Sequence, residues 1–206
     1  MTQLIQIHDQ TPQARLINQV AAMIRNGGLV VYPTDSGYAL GCQIGDKQAL
    51  DKIRKIRELD KDHNFTLVCR DLSELALYAR VDNLAFRVIK NNTPGPYTFI
   101  FRATNEVPNR LKHPKKKTIG IRVPDNAVAQ ALLEALGEPL MSTSLVLPQK
   151  DDEILEPYEI YELLDGRVDA VIDSGYCGHE ETSIIDMTSG FPEVIRVGAG
   201  DVSIFE

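Results

Sequence analysis

Apolar residues recur every three to four positions in several stretches of the chain, which is the spacing of one buried face of an α-helix. The first predicted helix has Thr11 as its N-cap and ends at Gly27 and Gly28. The fourth has Leu84 and Ile89 on its apolar side. The pattern predicts six helices, which begin near Thr11, Asp46, Asp71, Asp82, Asp125 and Glu156.

Short apolar runs between these helices predict β-strands, because the runs are too short for helices and are rich in β-branched residues. The predicted strands cover residues 29–32, 66–69, 97–102, 118–123, 140–144, 168–173, 183–187 and 194–197. Helices alternate with strands early in the chain, and strands dominate late. We therefore expect one α/β domain over residues 1–206, with a twisted sheet of mixed parallel and antiparallel strands and helices on its faces.

The composition is that of an ordinary globular protein, with 43% apolar and 25% charged residues among 206. Neither a run of about 18 apolar residues nor a signal-peptide pattern is present, so we expect no membrane span and a cytoplasmic location. The three cysteines and four histidines are scattered along the chain. We therefore expect neither a disulfide framework nor a protein-bound metal.

The net charge of −7 is distributed unevenly along the chain. Residues 87–122 carry nine basic side chains and one acidic one, whereas residues 123–206 carry three basic and 18 acidic ones. Such a distribution is typical of a surface that binds polyanions, and equally of segments that neutralise each other once packed. Charge alone leaves both interpretations open.

The basic segment contains a cluster of lysines, Lys112, Lys115, Lys116 and Lys117, ahead of Arg122. A lysine run after a proline is usually a solvated turn. It also suits contacts with RNA phosphates. Few aromatic residues accompany it, so recognition of double-stranded RNA by shape fits better than stacking on single-stranded bases.

Polar residues follow the predicted strands and helices at several points. Thr34, Asp35 and Ser36 come after the first buried strand, where such residues either close a turn or line a ligand site. Lys55 and Arg57 lie near the end of the second helix. There they either compensate the helix dipole or bind an anion.

Further hydroxyl and basic side chains occur at the ends of later strands, namely Arg122, Ser144, Ser183 and Arg196. No serine has a plausible His and Asp partner, and the Walker phosphate loop and the dinucleotide glycine fingerprint are absent from the sequence. Cations and hydroxyls without a nucleophile favour binding of a polyanion or carboxylate, with stabilisation of charge during group transfer.

Taken in order, six motifs of this sequence resemble those of the YrdC-like family. They are Tyr32-Pro33-Thr34-Asp35-Ser36, Lys55-x-Arg57, Pro94-Gly95-Pro96-Tyr97-Thr98, Ile121-Arg122-Val123-Pro124, Ser142-Thr143-Ser144, and the segment from Thr182-Ser183 to Arg196. The strings Val31–Gly41 and His63-Asn64-Phe65-Thr66-Leu67 are most similar to the YciO branch of that family. The resemblance covers nearly the whole chain.

The resemblance implies a concave basic cavity on a twisted α/β sheet. It also implies synthesis of threonylcarbamoyl-adenylate from Mg-ATP, L-threonine and bicarbonate, for modification of an adenosine in tRNA. The residues implied to hold threonine are Thr34, Arg122 and Ser183. Those implied to hold the nucleotide phosphates are Lys55, Arg57, Ser144 and Arg196, with Lys55 and Arg57 as the catalytic cations. The resemblance implies that Mg²⁺ enters the cavity bound to the nucleotide and not as a metal held by the protein.

One position departs from the family pattern. The chain has Ser144-Leu145-Val146 where active synthases have Ser-x-Asn. Loss of one hydrogen bond to a charged group costs about 1.5–3 kcal/mol, which slows a reaction by tens- to hundredfold without abolishing ligand binding. Two hypotheses follow, a synthase-like nucleotidyltransferase and a non-catalytic protein that binds double-stranded RNA or tRNA with the basic cavity and the lysine cluster. A ligand sensor without turnover is a third.

Overall fold

The computed structural model describes residues 1–60, 63–148 and 156–205, and within these ranges ten strands and six helices form. The strands are β1 (Gln3–Gln6), β2 (Val30–Thr34), β3 (Gly37–Gln43), β4 (Thr66–Val68), β5 (Tyr97–Arg102), β6 (Thr118–Arg122), β7 (Leu140–Ser144), β8 (Ala170–Asp173), β9 (Ser183–Asp186) and β10 (Glu193–Arg196). The helices are α1 (Ala14–Arg25), α2 (Lys47–Arg57), α3 (Leu72–Tyr78), α4 (Asn83–Asn92), α5 (Ala127–Leu136) and α6 (Pro157–Leu164). Short 3-10 turns lie at Asn109–Leu111 and Ser203–Phe205.

All ten strands belong to one sheet, in the order β1-β8-β2-β3-β7-β4-β6-β5-β9-β10. The pairs β1–β8, β2–β8, β4–β6 and β5–β9 are parallel, and the other neighbours are antiparallel. The predicted mixed α/β sheet is confirmed. None of the described helices is both long and apolar enough to cross a membrane.

The two faces of the sheet are covered differently. Helices α2, α3, α4 and α6 pack on one face around buried side chains such as Phe65, Phe99 and Ile121. Helices α1 and α5 pack on the β1, β8 and β2 side of the opposite face. The remainder of that opposite face carries half-buried side chains, among them Thr66 and Thr98, which line a cavity.

Two predicted helix starts were wrong, and local hydrogen bonds explain both. Helix α1 begins after Gln13 rather than Thr11, because the Nδ1 atom of His8 accepts a hydrogen bond from the backbone of Thr11 and keeps that residue in a turn. Helix α5 is capped by Asn126 rather than Asp125, since the Asn126 side chain accepts from the amide of the third residue along. The amide of Asp125 instead donates to Asp35.

Strands β1 and β3 were not predicted, and β3 matters most because it pairs with both β2 and β7 in the middle of the sheet. Its run from Gly37 to Gln43 contains two glycines, so its sequence resembles the continuation of a turn.

The predicted apolar side of α4 included Leu84, but this side chain is 45% exposed, so the buried face of α4 is narrower than the apolar pattern suggested. The Asp46, Asp71 and Asp82 caps are confirmed.

Candidate functional site

A concave cavity of about 830 Å³, including its mouth, lies on the open part of the sheet. Most of its lining side chains carry hydroxyls or positive charge, and the cations among them are Arg57, Arg122 and Arg196. The hydroxyl residues of the lining are Tyr32, Thr34, Ser36, Tyr38, Thr66, Thr98, Ser142, Thr143, Ser144 and Thr182. Such a lining offers many hydrogen bonds and positive charge to an anionic ligand.

The polar floor of the cavity follows from strand alternation. Ser142 and Thr66 lie opposite each other on β7 and β4, while Met141 and Leu67 next to them point into the core of the other face. The hydroxyls of Tyr32 and Ser142 are 2.7 Å apart, and burial raises the pKa of Tyr32 to about 12. Position 41 must be glycine, because a Cβ atom there would lie 2.7 Å from the Tyr32 ring.

An ion pair between Asp35 and Arg122 joins two distant parts of the sheet. Arg122 ends β6, Asp35 lies in the turn after β2, and three strands separate β6 from β2. The Nη2 atom of Arg122 donates to Asp35 Oδ1, and its Nη1 donates to Ser36 Oγ at 2.8 Å. The Arg122 and Asp35 side chains are only 8% and 11% exposed. A direct contact across three intervening strands is possible only if the sheet curves, so that the ends of β2 and β6 approach each other over the cavity.

The two cations at the end of α2 lie on different surfaces. Arg57 lines the cavity, and its Nη1 donates to the carbonyl oxygen of Ser144 at 3.1 Å. Lys55 lines a separate hollow together with Lys52 and Arg167. The reason is helical geometry, because residues two apart point about 200° away from each other around the axis. Lys55 and Arg57 therefore do not face one ligand.

Arg196 reaches the cavity from the end of β10. Its Nε and Nη2 atoms donate to the carbonyl oxygen of Thr182 at 3.0 and 2.8 Å, and these bonds fix the plane of the guanidinium. Its Nη1 lies 3.0 Å from Glu181, which also lines the cavity. This ion pair is partly exposed, since 36% of the Arg196 side chain and 64% of the Glu181 side chain are accessible.

The hydroxyls of Ser183 and Thr34 are occupied within the protein. Ser183 is fully buried, donates to Gly200 O at 2.6 Å and accepts from Gly198 N at 2.9 Å, so it holds the segment after β10. Its neighbour along the chain, Thr182, is the one that lines the cavity. Thr34 lines the cavity and also donates to Gly37 O at 2.6 Å, which closes the turn between β2 and β3.

His63 and Asn64 are among the lining residues that the predicted site did not include. His63 Nε2 lies 3.4 Å from the hydroxyl of Thr143. Burial lowers the pKa of His63, and the charges of Arg57 and Arg54 lower it further. The imidazole therefore favours its neutral form and offers the cavity both a donor and an acceptor.

Strand pairing explains why these residues reach the cavity. Thr66, at the start of β4, pairs with Ser142 of the antiparallel β7. Residues just before β4 therefore meet residues at and just after the end of β7, including Val146. The sequence signals were two polar residues ahead of a predicted strand and the similarity of residues 63–67 to the YciO branch, and neither reveals the partner strand.

The lysines ahead of β6 lie away from the cavity. Lys115 and Lys116 are exposed, as is Lys117, and Lys112 is half-buried. The carbonyl oxygen of Lys117 accepts from the amide of Ala103 at 3.0 Å, which anchors the run beside the end of β5. Arg122 stands at the other end of β6, about 13 Å along the strand. The basic segment therefore places Arg122 in the cavity and the lysine cluster on a separate, exposed surface.

Within the described ranges, no group of three His, Cys, Asp or Glu side chains could hold a metal ion. The thiol of Cys177, on the segment that approaches Asp35, has its pKa raised to about 11 by burial and stays protonated. The arrangement can therefore bind anions and stabilise charge, through arginines and hydroxyls whose orientations are set by the backbone.

Sequence comparison relates the chain to one group of proteins. The family model of Sua5, YciO and YrdC, described as "Telomere recombination", matches residues 22–198. YciO of Escherichia coli strain K12 is 57% identical over 205 residues, which is 100% of both chains. A protein of Haemophilus influenzae is 55% identical over 206 residues, again 100% of both.

Solved structures extend this relation. The crystal structure of E. coli YciO superposes with a TM-score of 0.95 at 57% identity and covers 100% of both chains. The crystal structure of P. abyssi Sua5 complexed with L-threonine has a TM-score of 0.86 at 25% identity, covering 96% of this chain and 58% of Sua5. HypF in its phosphate- and nucleotide-bound form has a TM-score of 0.71 at 19% identity, and it shows a shared fold alone.

Proposed function

Because the chain belongs to the Sua5/YciO/YrdC family, we propose that its cavity binds Mg-ATP with L-threonine or a similar amino acid and forms a threonylcarbamoyl-type adenylate. The observation that carries the proposal is the Arg57 guanidinium at the Ser144 carbonyl, inside a cavity lined by hydroxyls. The L-threonine complex of Sua5 supports the choice of amino acid. The product would serve threonylcarbamoyl modification of an adenosine in tRNA.

In the proposed reaction, the threonine amine and bicarbonate first give a carbamate with loss of water. A carbamate oxygen then attacks the α-phosphorus of ATP, and the bond to pyrophosphate breaks. Arg57 and Arg196 neutralise charge that develops on the phosphates, and their fixed orientations mean that little reorganisation is needed. Mg²⁺ bound to the nucleotide supplies further neutralisation of its phosphates. No protein nucleophile takes part.

The proposal changes the role of two residues implied by the family motifs. Lys55 faces another surface, so the phosphate contacts are assigned to Arg57, Ser144 and Arg196. Ser183 supports the part assigned to threonine indirectly, through the segment that it holds. Thr34 and Arg122 border that part, as the family motifs imply.

Replacing Val146 by Asn tests the catalytic part of the proposal. Val146 lines the cavity at the place where active synthases have the amide. A restored hydrogen bond to a phosphate is expected to raise pyrophosphate release by about 10- to 100-fold. The measurement is release from Mg-ATP that depends on both L-threonine and bicarbonate.

The control is Val146→Ala, which removes the branched side chain without adding an amide and is expected to leave the slow rate of the parent protein. If neither the parent nor Val146→Asn releases pyrophosphate with threonine or with other amino acids, synthase chemistry is excluded.

A second candidate function is binding of double-stranded RNA or tRNA through Lys115–Lys117, which are exposed on a backbone anchored beside β5. Replacing all three by Ala is expected to weaken duplex RNA binding. It should also reduce the slope of log affinity against log salt by about 0.7–0.9 for each RNA phosphate that a lysine no longer neutralises. Titration of a fluorescent RNA duplex over a salt series measures both quantities.

The matched control is Lys52→Ala with Lys55→Ala, which removes lysines from a different surface. RNA affinity that does not change with salt, or that falls equally in the control, would disprove this role of the lysines.

A further inference from the structure

His63 occupies the wall of the cavity between the proposed phosphate contacts and the core. Its ring packs edge-on against Phe65, with centroids 5.4 Å apart, so its orientation is restrained. Its Nε2 atom lies 3.4 Å from Thr143 Oγ1, next to Ser144 on the same strand. The imidazole is half-buried and lines the cavity, so a ligand in the cavity can reach it.

Among the residues that the structure describes, the two charged groups that lower the pKa of His63 are both positive. They are Arg57, which lines the cavity, and Arg54, whose guanidinium lies over the Phe65 ring at 5.8 Å; both belong to α2. Two uncharged side chains also contact His63, namely Thr143 of β7 and Phe65, which directly precedes β4. Residues 61 and 62 lie outside the described ranges. In the protein without ligand, burial and the two arginines lower the pKa of His63.

We propose that His63 is the proton acceptor of the cavity, taking up one proton when a polyphosphate binds beside Arg57. The inference rests on the proposed function, because it assumes that nucleotide phosphates occupy this part of the cavity. It adds that anion binding here is coupled to protonation, and it makes His63 part of the ligand site.

The physical reason is a change in the local electrostatic potential. Bound phosphates neutralise the charge of Arg57, which lines the cavity, and add negative charge beside the ring, so the protonated form of His63 becomes favoured. The proton comes from solvent, forms a bond to the unprotonated ring nitrogen, and the resulting imidazolium donates to a phosphate oxygen. The pKa of His63 is thus higher in the complex than in the free protein.

The sign of the pH dependence follows from this change. Below the pKa of His63 in the free protein, its ring is protonated in both states, and affinity gains nothing further from acid. Between the free and the bound pKa, affinity falls by up to about tenfold per pH unit as pH rises. Above the bound pKa the contribution is lost.

Isothermal titration calorimetry tests the proposal with Mg-ATP as the probe. Titrations at one pH near neutrality, in two buffers of different ionisation enthalpy, give the number of protons taken up on binding. Where the pH lies between the free and the bound pKa of His63, the parent protein is expected to take up as much as about one proton more than His63→Gln. Glutamine keeps a polar group near the position of Nε2 but does not titrate, and protons exchanged by ATP itself cancel in the difference.

NMR titration of the parent protein is a second test of the proposal. The pKa of His63 is read from NMR titration of its imidazole C–H resonance, with and without Mg-ATP, and is expected to rise on binding. Asp62→Asn serves as a control for the neighbouring carboxyl group in the sequence, and it is expected to leave the proton uptake in place.

The outcomes separate this inference from the proposed function. Mg-ATP binding with equal proton uptake in the parent and His63→Gln, or an unchanged NMR pKa, overturns the role of His63 alone. Failure of Mg-ATP to bind overturns the proposed function together with this inference. Proton uptake that His63→Gln abolishes supports both.

Discussion

Replacing Asp35 by Ala is expected to lower the free energy of unfolding by about 3–5 kcal/mol. The substitution leaves the charge of Arg122, whose side chain is only 8% exposed, without its carboxylate partner. It also removes the acceptor of the Asp125 amide. Arg122 Nε is already buried without a hydrogen-bond partner, so the buried guanidinium depends on its hydrogen bonds to Asp35 and Ser36. Urea denaturation, monitored by circular dichroism, measures the change in the free energy of unfolding.

The matched control is Glu181→Ala, which removes the acidic partner of Arg196 in a partly exposed pair. Exposed pairs contribute about 0–1 kcal/mol, so this variant should remain close to the parent. Asp35→Ala with Arg122→Met should recover part of the lost stability, because no buried charge then remains at this position. A loss below about 1 kcal/mol in Asp35→Ala would show that the pair does not hold the curled sheet together.

Replacing Arg57 by Gln is expected to weaken Mg-ATP binding by about 10- to 100-fold. A hydrogen bond to a charged group is worth about 1.5–3 kcal/mol, and each 1.4 kcal/mol is a factor of ten in affinity. Arg57 is the cation that lies against Ser144 at the proposed phosphate position. Calorimetric titration of the variant with Mg-ATP measures the loss.

Lys55→Gln is the control for this experiment, because it removes the same charge two residues away but from a different surface. Its affinity for Mg-ATP is expected to stay within about twofold of the parent, since exposed charges are screened beyond about 8–10 Å. Equal losses in the two variants would contradict the placement of the phosphates beside Arg57. They would favour a role for the Lys-x-Arg pair as the family motif implies.

Asp35 and Arg57 affect different properties of one cavity. Asp35 and Arg122 determine its shape, because they hold the turn after β2 against the end of β6. Arg57 lines the cavity from the end of α2, and its proposed role is contact with the ligand. Stability and affinity should therefore change separately in these variants.

Local features were predicted well from the sequence because short-range interactions decide them. Asp46 and Asp82 cap α2 and α4 through bonds to amides three residues on. Strands β5 and β7 have the predicted bounds, Tyr97–Arg102 and Leu140–Ser144. Each of these features depends on residues within one turn or one strand. The mixed α/β fold followed from their order.

The site was less predictable, because strand pairing and sheet curvature decide which side chains meet. Lys55 and Arg57 are near neighbours in sequence and face different surfaces, whereas Asp35 and Arg122 are far apart and form an ion pair. Ser183 was expected at the ligand, but the fold uses its hydroxyl to hold the carbonyl of residue 200.

The sequence by itself determined the six helices, eight of the ten described strands, the family resemblance and the kind of chemistry available, because residue types and their periodicity carry that information. Only the tertiary structure decided that His63 joins Arg57 and Ser144 in one cavity, and that the lysines ahead of β6 lie elsewhere. The physical reason is that a mixed sheet brings together strands whose order in the chain differs from their order in space. The curvature of the sheet then selects which strand ends line the same cavity.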